Sequence, residues 1–263
     1  MMPTELSFFR RSAACAFTVV VSLVAGAATA NAVPIVSHTG SADPTTEGWS
    51  TVGGGVNVST GPVINDLGLG IDAWSVDDLT TTTDSVLFYQ FNPSPGVVGA
   101  ALSGGWTLST RIRVVNDDED ADRATFAEFI DGTTRWRMDF GAAGGDPIVL
   151  LQTGVVSGND VGHEIQLSGG GSGYHLYELI YDPVAMTADL FIDGTELFSD
   201  FAGMPTSLTR VAFGAGQAAR TGHGHYNLVQ FETELAISEP ATLATFGFSL
   251  AALGWMGRRR KAA

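Results

Sequence analysis

Strict alternation over short stretches, repeated between turn residues, leaves this chain few ways to fold. In "WTLSTRIRVV" (106–115), Trp106, Leu108, Ile112 and Val114 alternate with Thr107, Ser109, Arg111 and Arg113. That is the period of a strand with one dry face and one wet face. Further stretches of this kind are 85–91, 124–130, 135–140, 147–152, 163–167, 174–182, 187–192, 209–215 and 225–232. Gly, Asn, Asp and Pro separate them, as in "NPSPG" (92–96) and "GGGSG" (169–173). Between the two ends of the chain no apolar helical period lasts beyond two turns. Many short strands within roughly 200 residues point to an antiparallel sandwich or jelly roll.

An internal echo supports that class. "FIDGTTRWRMDF" (129–140) and "FIDGTELFSDF" (191–201) both run strand, Asp-Gly, strand. Asp-Gly supplies the left-handed residues of a tight hairpin turn, so two hairpins are expected. The segment 174–203, with a strand ending in Tyr-Asp and a return strand ending in Ile-Asp-Gly, resembles the laminin-G-like and concanavalin A-like lectin/glucanase domains. The resemblance spans 43–235 and implies an all-β, antiparallel jelly-roll sandwich. In it "GHGHYNLVQFE" (222–232) is the closing strand and "DPTTEGWST" (43–51) the opening one.

The two ends of the chain follow different rules. Arg10 and Arg11 precede an apolar run from Ala13 to Ala30, and Ala30-Asn31-Ala32 has the small-x-small pattern of a signal peptidase site. Residues 1–32 therefore read as a Sec signal peptide cut after Ala32. The alternative is a buried N-terminal helix. Cys15, the one cysteine, leaves with the leader, so the mature chain has no thiol for a disulfide or a Cys ligand. At the other end, Ala241 to Gly257 carries no charge and Arg258-Arg259-Arg260-Lys261 follows at once. As one apolar helix it would span roughly 25 Å, short of a hydrocarbon core of roughly 30 Å. The cations favour the cytoplasmic side.

Glu239-Pro240-Ala241-Thr242-Leu243, the apolar run and the Arg cluster resemble a PEP-CTERM sorting signal of Gram-negative bacteria, with Ser238 where that family has its first proline. The resemblance covers the last 26 residues. It implies processing by an exosortase at Glu239-Pro240, a transient inner-membrane anchor, and release to the cell surface or beyond, where the family is linked to extracellular polysaccharide and biofilm. A plain tail anchor is the alternative. The expected organisation is a leader (1–32), a sandwich (33–235) and a sorting segment (236–263).

Composition narrows the function of the middle. Of 13 basic residues two lie in the leader and four in the tail, so seven arginines and no lysine face 27 acidic residues. Such a surface repels nucleic acid and anionic lipid. Glycosidases of this fold use paired carboxylates about 5–5.5 Å apart. The laminarinase-type Glu-x-Asp-x-x-Glu string is absent, as are the lysine-bearing strand of the alginate lyases and the Asp boxes of sialidases. No catalytic residue is assigned. His223 and His225, two apart on a strand, point the same way and would need a carboxylate such as Glu164 to hold a metal.

Asp118, Asp120 and Asp122 alternate as calcium ligands do, but Arg123 and Phe129 stand where an EF-hand needs Gly and Glu. Calcium is thus an optional ligand, and no cofactor is required. Arg111, Arg113, Arg135 and Arg137 are expected on the wet faces of two strands. In one sheet they would form a basic island whose forks suit the carboxylates of an acidic glycan; the alternative is internal pairing with Glu128 or Asp139. The leading expectation is an exported, non-catalytic protein that binds or organises acidic extracellular polysaccharide. A polysaccharide-cleaving enzyme built on Glu128, Glu164 or His225, and a structural matrix protein without a ligand, are the alternatives.

Overall fold

A computed structural model describes residues 32–55, 57–79, 86–115, 125–143, 145–156, 159–216 and 221–234. Ala30, Asp118, Asp120, Asp122, Glu239, Pro240 and the apolar tail lie outside them. Among the described residues no helix is long and apolar enough to cross a membrane.

The chain opens with β1 (Ala32–Thr39), a 3-10 turn (Pro44–Glu47), β2 (Ser50–Gly53), β3 (Val58–Asp66), β4 (Ile71–Asp78) and β5 (Leu87–Phe91). Helix α1 (Pro95–Gly104) precedes β6 (Trp106–Val114), β7 (Thr125–Asp131), β8 (Thr134–Ala143), β9 (Asp146–Val156) and β10 (Asn159–Gln166). Then come β11 (His175–Asp182), β12 (Thr187–Ile192), β13 (Thr195–Phe201), β14 (Met204–Pro205), β15 (Thr209–Ala215) and β16 (Gly222–Glu234). One sheet runs β13-β12-β11-β6-β16-β4-β3, with β1 also on β16; the other runs β10-β9-β8-β7-β15-β5-β2, with β14 on β8. Every pairing is antiparallel. The chain is an all-β antiparallel sandwich.

Alternation builds the core as the sequence implies. Trp106, Leu108 and Ile112 of β6 are buried, as are Tyr177, Leu179 and Tyr181 of β11 and Phe129, Trp136, Met138 and Phe140 from the facing sheet. Trp106 sits among four aromatic rings: stacked on Tyr181 at 5.3 Å, and within 6.1 Å of Phe129, Trp136 and Phe231. Each such side chain contributes roughly 1.5–3 kcal/mol by leaving water. Tyr226 of β16 also stitches the sheets together. Its hydroxyl donates to the Gly214 and Phe126 carbonyls across the core, at 2.8 and 3.2 Å. Tyr226→Phe keeps the ring and removes those bonds, so urea unfolding should show a loss of about 1–2 kcal/mol. A loss below the error of that measurement would mean the link is not structural.

Both Asp-Gly hairpins form, one in each sheet. Ile192 pairs with Thr195 across a two-residue turn in which Asp193 and Gly194 have φ of 50° and 78°. In the other hairpin Asp131 accepts the backbone N–H groups of Thr133 and Thr134 through one oxygen.

Two expectations change. The opening strand is not 43–51: Asp43 caps the 3-10 turn there, and β2 joins the other sheet. The strand beside the closing β16 is β1, Ala32 opposite Glu234, with a register shift after Pro34, whose missing N–H interrupts the ladder. "NPSPG" is not a simple turn either. Ser94 caps α1 and Pro95 occupies its first turn, where a missing N–H costs nothing. The helix has no helical period in its sequence because small and apolar residues fill its faces; only Val98 and Ala101 are buried. β3, hidden in the sequence by Gly61 and Pro62, is an edge strand, where proline is tolerated.

Candidate functional site

The outward faces of the two sheets carry two separate polar clusters. β6 lies in one sheet and β8 in the other, so Arg111 and Arg113 share no face with Arg135 and Arg137. The four-arginine island does not exist, because the chain changes sheets between β6 and β7.

Arg135 and Arg137 serve an internal carboxylate. Glu128 of β7 has no solvent exposure and is ringed by three guanidinium groups. Arg135 Nε donates to Oε2 at 2.6 Å, Arg210 donates from Nε to Oε1 at 2.7 Å, and Arg137 Nη1 lies 3.7 Å from Oε2. Arg137 also holds Asp139 of its own strand. The guanidinium carbons of Arg137 and Arg210 stand 4.0 and 4.8 Å from the ring centroids of Phe126 and Phe88. Burial pushes the Glu128 carboxyl up in pKa, but the charges of Arg137, Arg135 and Arg210 outweigh it and hold it below its ordinary value. Burial and the Arg137 charge push Arg135 down. A carboxylate so enclosed is no acid or base for a substrate. Glu164 sits three strands away on β10 and His225 in the other sheet, so the catalytic alternative has no common site for these three groups.

The outer face around β6, β16, β4 and the end of β3 is more open. The β3–β4 connection places Asp66 against Arg113, which grips it with two donors, Nε at 2.7 Å and Nη2 at 2.8 Å. The Tyr174 hydroxyl donates to the same carboxylate at 2.8 Å, and His225 Nδ1 lies 2.8 Å from it. His225 Nε2 faces His223 Nε2 at 3.2 Å, and His223 Nε2 faces the Ser75 hydroxyl at 3.0 Å. Asp77 stands 3.9 Å from the other nitrogen of His223. The two histidines do point the same way, as their spacing implies. Glu164 is not with them, and among the described residues no group of three or more His, Cys, Asp or Glu is placed to hold a metal.

Electrostatics fixes the protonation of this cluster. Burial raises the Asp66 pKa, but hydrogen bonds from Arg113, His225 and Tyr174 override it and keep the carboxyl well below the usual range. Burial lowers both histidines, opposed at His225 by Asp66 and at His223 by Asp77, so both are neutral at pH 7. Burial and the Asp66 hydrogen bond raise Tyr174.

Arg111 differs from the other described arginines. Among the described residues it forms no ion pair, whereas Arg113, Arg135, Arg137 and Arg210 each hold a carboxylate. Its guanidinium lies 5.9 Å from the Tyr174 ring centroid. A guanidinium beside an aromatic face, next to a carboxylate that Arg113 already grips, can take up a planar anion without giving up a close ion pair; at longer range its charge adds to that of His175 on Asp193. Sequence reasoning missed Asp66, in "NDLGLG" where no alternation marks a face, and Tyr174, the first residue of the alternating stretch 174–182, where nothing local marks it as a partner of Asp66.

A family model described as Vibrio cholerae sialidase, lectin insertion, matches residues 98–243. No curated protein matches the sequence. Among solved structures, a conserved carbohydrate esterase from the Shiga toxin-encoding bacteriophage phi24B is similar with a TM-score of 0.53 at 15% identity, covering 78% of this chain and 100% of that one. A botulinum neurotoxin type C structure, described as dependent on two ganglioside molecules for cell entry, is similar at 0.47 and 10%, covering 76% and 48%. The binding domain of botulinum neurotoxin serotype D is similar at 0.45 and 12%, covering 81% and 50%. This chain thus spans about half of those two neurotoxin chains. At such identities the likeness to the esterase is one of fold alone.

Proposed function

The chain belongs to the family of the Vibrio cholerae sialidase lectin insertion, and on that premise we propose that it is a non-catalytic carbohydrate-binding protein whose ligand is an acidic glycan. The observation that carries the reading is the lectin-family match from α1 through β16. Arg111, which forms no ion pair among the described residues and lies beside Tyr174, adds the preference for acidic sugars. The arginine fork takes the sugar carboxylate and the phenol edge supports the ring. The acidic remainder of the surface disfavours anions elsewhere on the described faces.

The terminal segments extend the proposal. With a signal peptide cleaved by signal peptidase and a PEP-CTERM-like tail processed by an exosortase, the protein is exported by a Gram-negative cell, held briefly at the inner membrane and released. Its partner is then extracellular polysaccharide of the surface or biofilm matrix. Mass spectrometry of the protein from native cells tests the export route: a retained Met1 start or a retained Arg258–Lys261 end would contradict it.

Glycan-array binding tests the ligand, with Arg111→Gln as the discriminating variant. A charge-assisted contact contributes about 1.5–3 kcal/mol, so the variant should lose roughly tenfold or more in affinity for uronate-bearing glycans. Its unfolding temperature should change little, because among the described residues Arg111 holds no carboxylate in a close ion pair and only its longer-range charge acts on Asp193. The difference between parent and variant should shrink with added salt, which screens the Arg111 contact. Equal affinity in parent and variant would remove Arg111 from the site, and an array without any bound glycan would leave only the structural-matrix reading. Release of reducing sugar from polysaccharides would favour the enzyme instead.

A further inference from the structure

One pole of the sandwich gathers the β11–β12 turn, the Asp-Gly turn between β7 and β8, and the C-terminal end of α1. Together they enclose a cleft of about 300 Å³, the size of a small-ligand site. Trp136 and Tyr181 line it, their rings 5.3 Å apart and steeply inclined at 68°. Leu102, Pro183 and Met186 complete the apolar wall.

Two polar groups there have capacity left over. Trp136 is 2% exposed, and its Nε1 is buried without a hydrogen-bond partner, although a buried indole N–H normally finds one. Gly203 packs close to this ring, since a Cβ there would stand 3.2 Å from Trp136 Cδ1, and its neighbour Ala202 lines the cleft with Trp136. Asp131 commits Oδ1 to Thr133 N, Thr133 Oγ1 and Thr134 N at 2.6, 2.9 and 2.7 Å. Its second oxygen takes no part in those bonds. At the lip, Met186 is 68% exposed and holds the left-handed conformation, φ 60°, that side chains rarely adopt.

We infer that this cleft binds one uncharged sugar ring, separately from the Arg111 face. A pyranose has an apolar C–H face for the Tyr181 and Trp136 floor. Its hydroxyls both donate and accept, which suits an indole that only donates beside a carboxylate that only accepts. Charge argues against an acidic ring. No Arg, Lys or His is among the described residues lining the cleft. Burial, then the Asp131 and Asp182 charges, raise the pKa of Tyr181, which places a negative field over the floor. The two sites are thus complementary: an acidic residue on the sheet face and a neutral one at the pole. The cleft does not depend on Arg111, so either can fail alone.

Indole N–H resonances of the full-length, 15N-labelled protein test this directly. Trp136→Phe removes one resonance and so assigns it. Titration with methyl glucoside, methyl galactoside and methyl mannoside should shift that resonance with at least one of them, in the millimolar range, and leave the other indoles in place. Asp131→Asn keeps an oxygen for the Thr133 and Thr134 N–H groups but turns the spare acceptor into a donor, so it should weaken the same sugar about tenfold, a result independent of whether Trp136→Phe folds. Arg111→Gln should have no effect on it. No shift with any of the three glycosides, or an unweakened Asp131→Asn, overturns the proposal. An equal response to methyl glucuronide overturns the preference for a neutral ring.

Discussion

Replacing Glu128 with alanine is expected to destabilise the protein by about 3–5 kcal/mol, the range for removing one partner of a buried ion pair. The reason lies in what remains. Arg135, Arg137 and Arg210 all aim at one carboxylate with no exposure, and without it three like charges face one another on a covered sheet face. Asp139 would still neutralise Arg137. Arg135 and Arg210 retain 16% and 18% side-chain exposure, so water relieves part of the repulsion and keeps the figure within that range. Against a typical domain stability of about 5–15 kcal/mol, such a loss leaves the fold marginal. Arg210→Met should cost clearly less, because Glu128 keeps two cations and Phe88 keeps an apolar neighbour. Urea unfolding of the two variants decides it. A loss below about 1 kcal/mol for Glu128→Ala, the scale of an exposed pair, would mean that the cluster is solvated in solution.

The arginine pairs show what alternation can and cannot reveal. Period two assigns Arg111 and Arg113 to one face of β6, and Arg135 and Arg137 to one face of β8, and both assignments hold. It does not say which sheet a strand joins, and that depends on non-local pairing. β6 pairs with β11 and β16, β8 with β7 and β9. A local signal for the Glu128 cluster did exist. The residues two before and two after Glu128 are Phe126 and Ile130, which share its face, and both are buried. A carboxylate between two such side chains cannot face open water and must meet cations. Nothing local marks the cleft at the pole: Leu102, Asp131, Trp136 and Tyr181 come from four elements and meet only when the sandwich closes. Hairpins, core strands and the closing strand were legible because each rests on contiguous residues.

Stability is expected to be level between roughly pH 7 and 10 and to fall outside that window. On the acid side the first groups are histidines. Burial lowers His38 from its ordinary 6.5, with the Glu47 hydrogen bond and charge opposing, and burial likewise lowers His223 and His225. His38 has no exposure, lies 2.6 Å from Glu47 and stacks on Phe213 at 5.4 Å, so protonation would place a charge inside the sandwich. Below pH 6.5 the unfolded chain binds these protons while the folded one does not, and acid therefore draws the equilibrium toward unfolding. For His38 the slope reaches at most about 1.4 kcal/mol per pH unit. Asp66, Glu128 and Asp193, all held below their ordinary values despite burial, extend the loss below about pH 4. On the alkaline side burial raises Tyr174, Tyr177 and Tyr226, which ionise first in the unfolded chain above about pH 10. Thermal unfolding across pH 4–11 measures the profile. His38→Phe retains a ring against Phe213 and removes the titrating group, so it should flatten the decline between pH 6.5 and 5. An unfolding temperature that is the same at pH 5 and 7.5 would show that these histidines are not desolvated as the structure implies, and an unaltered slope in His38→Phe would move the acid sensitivity to His223 and His225.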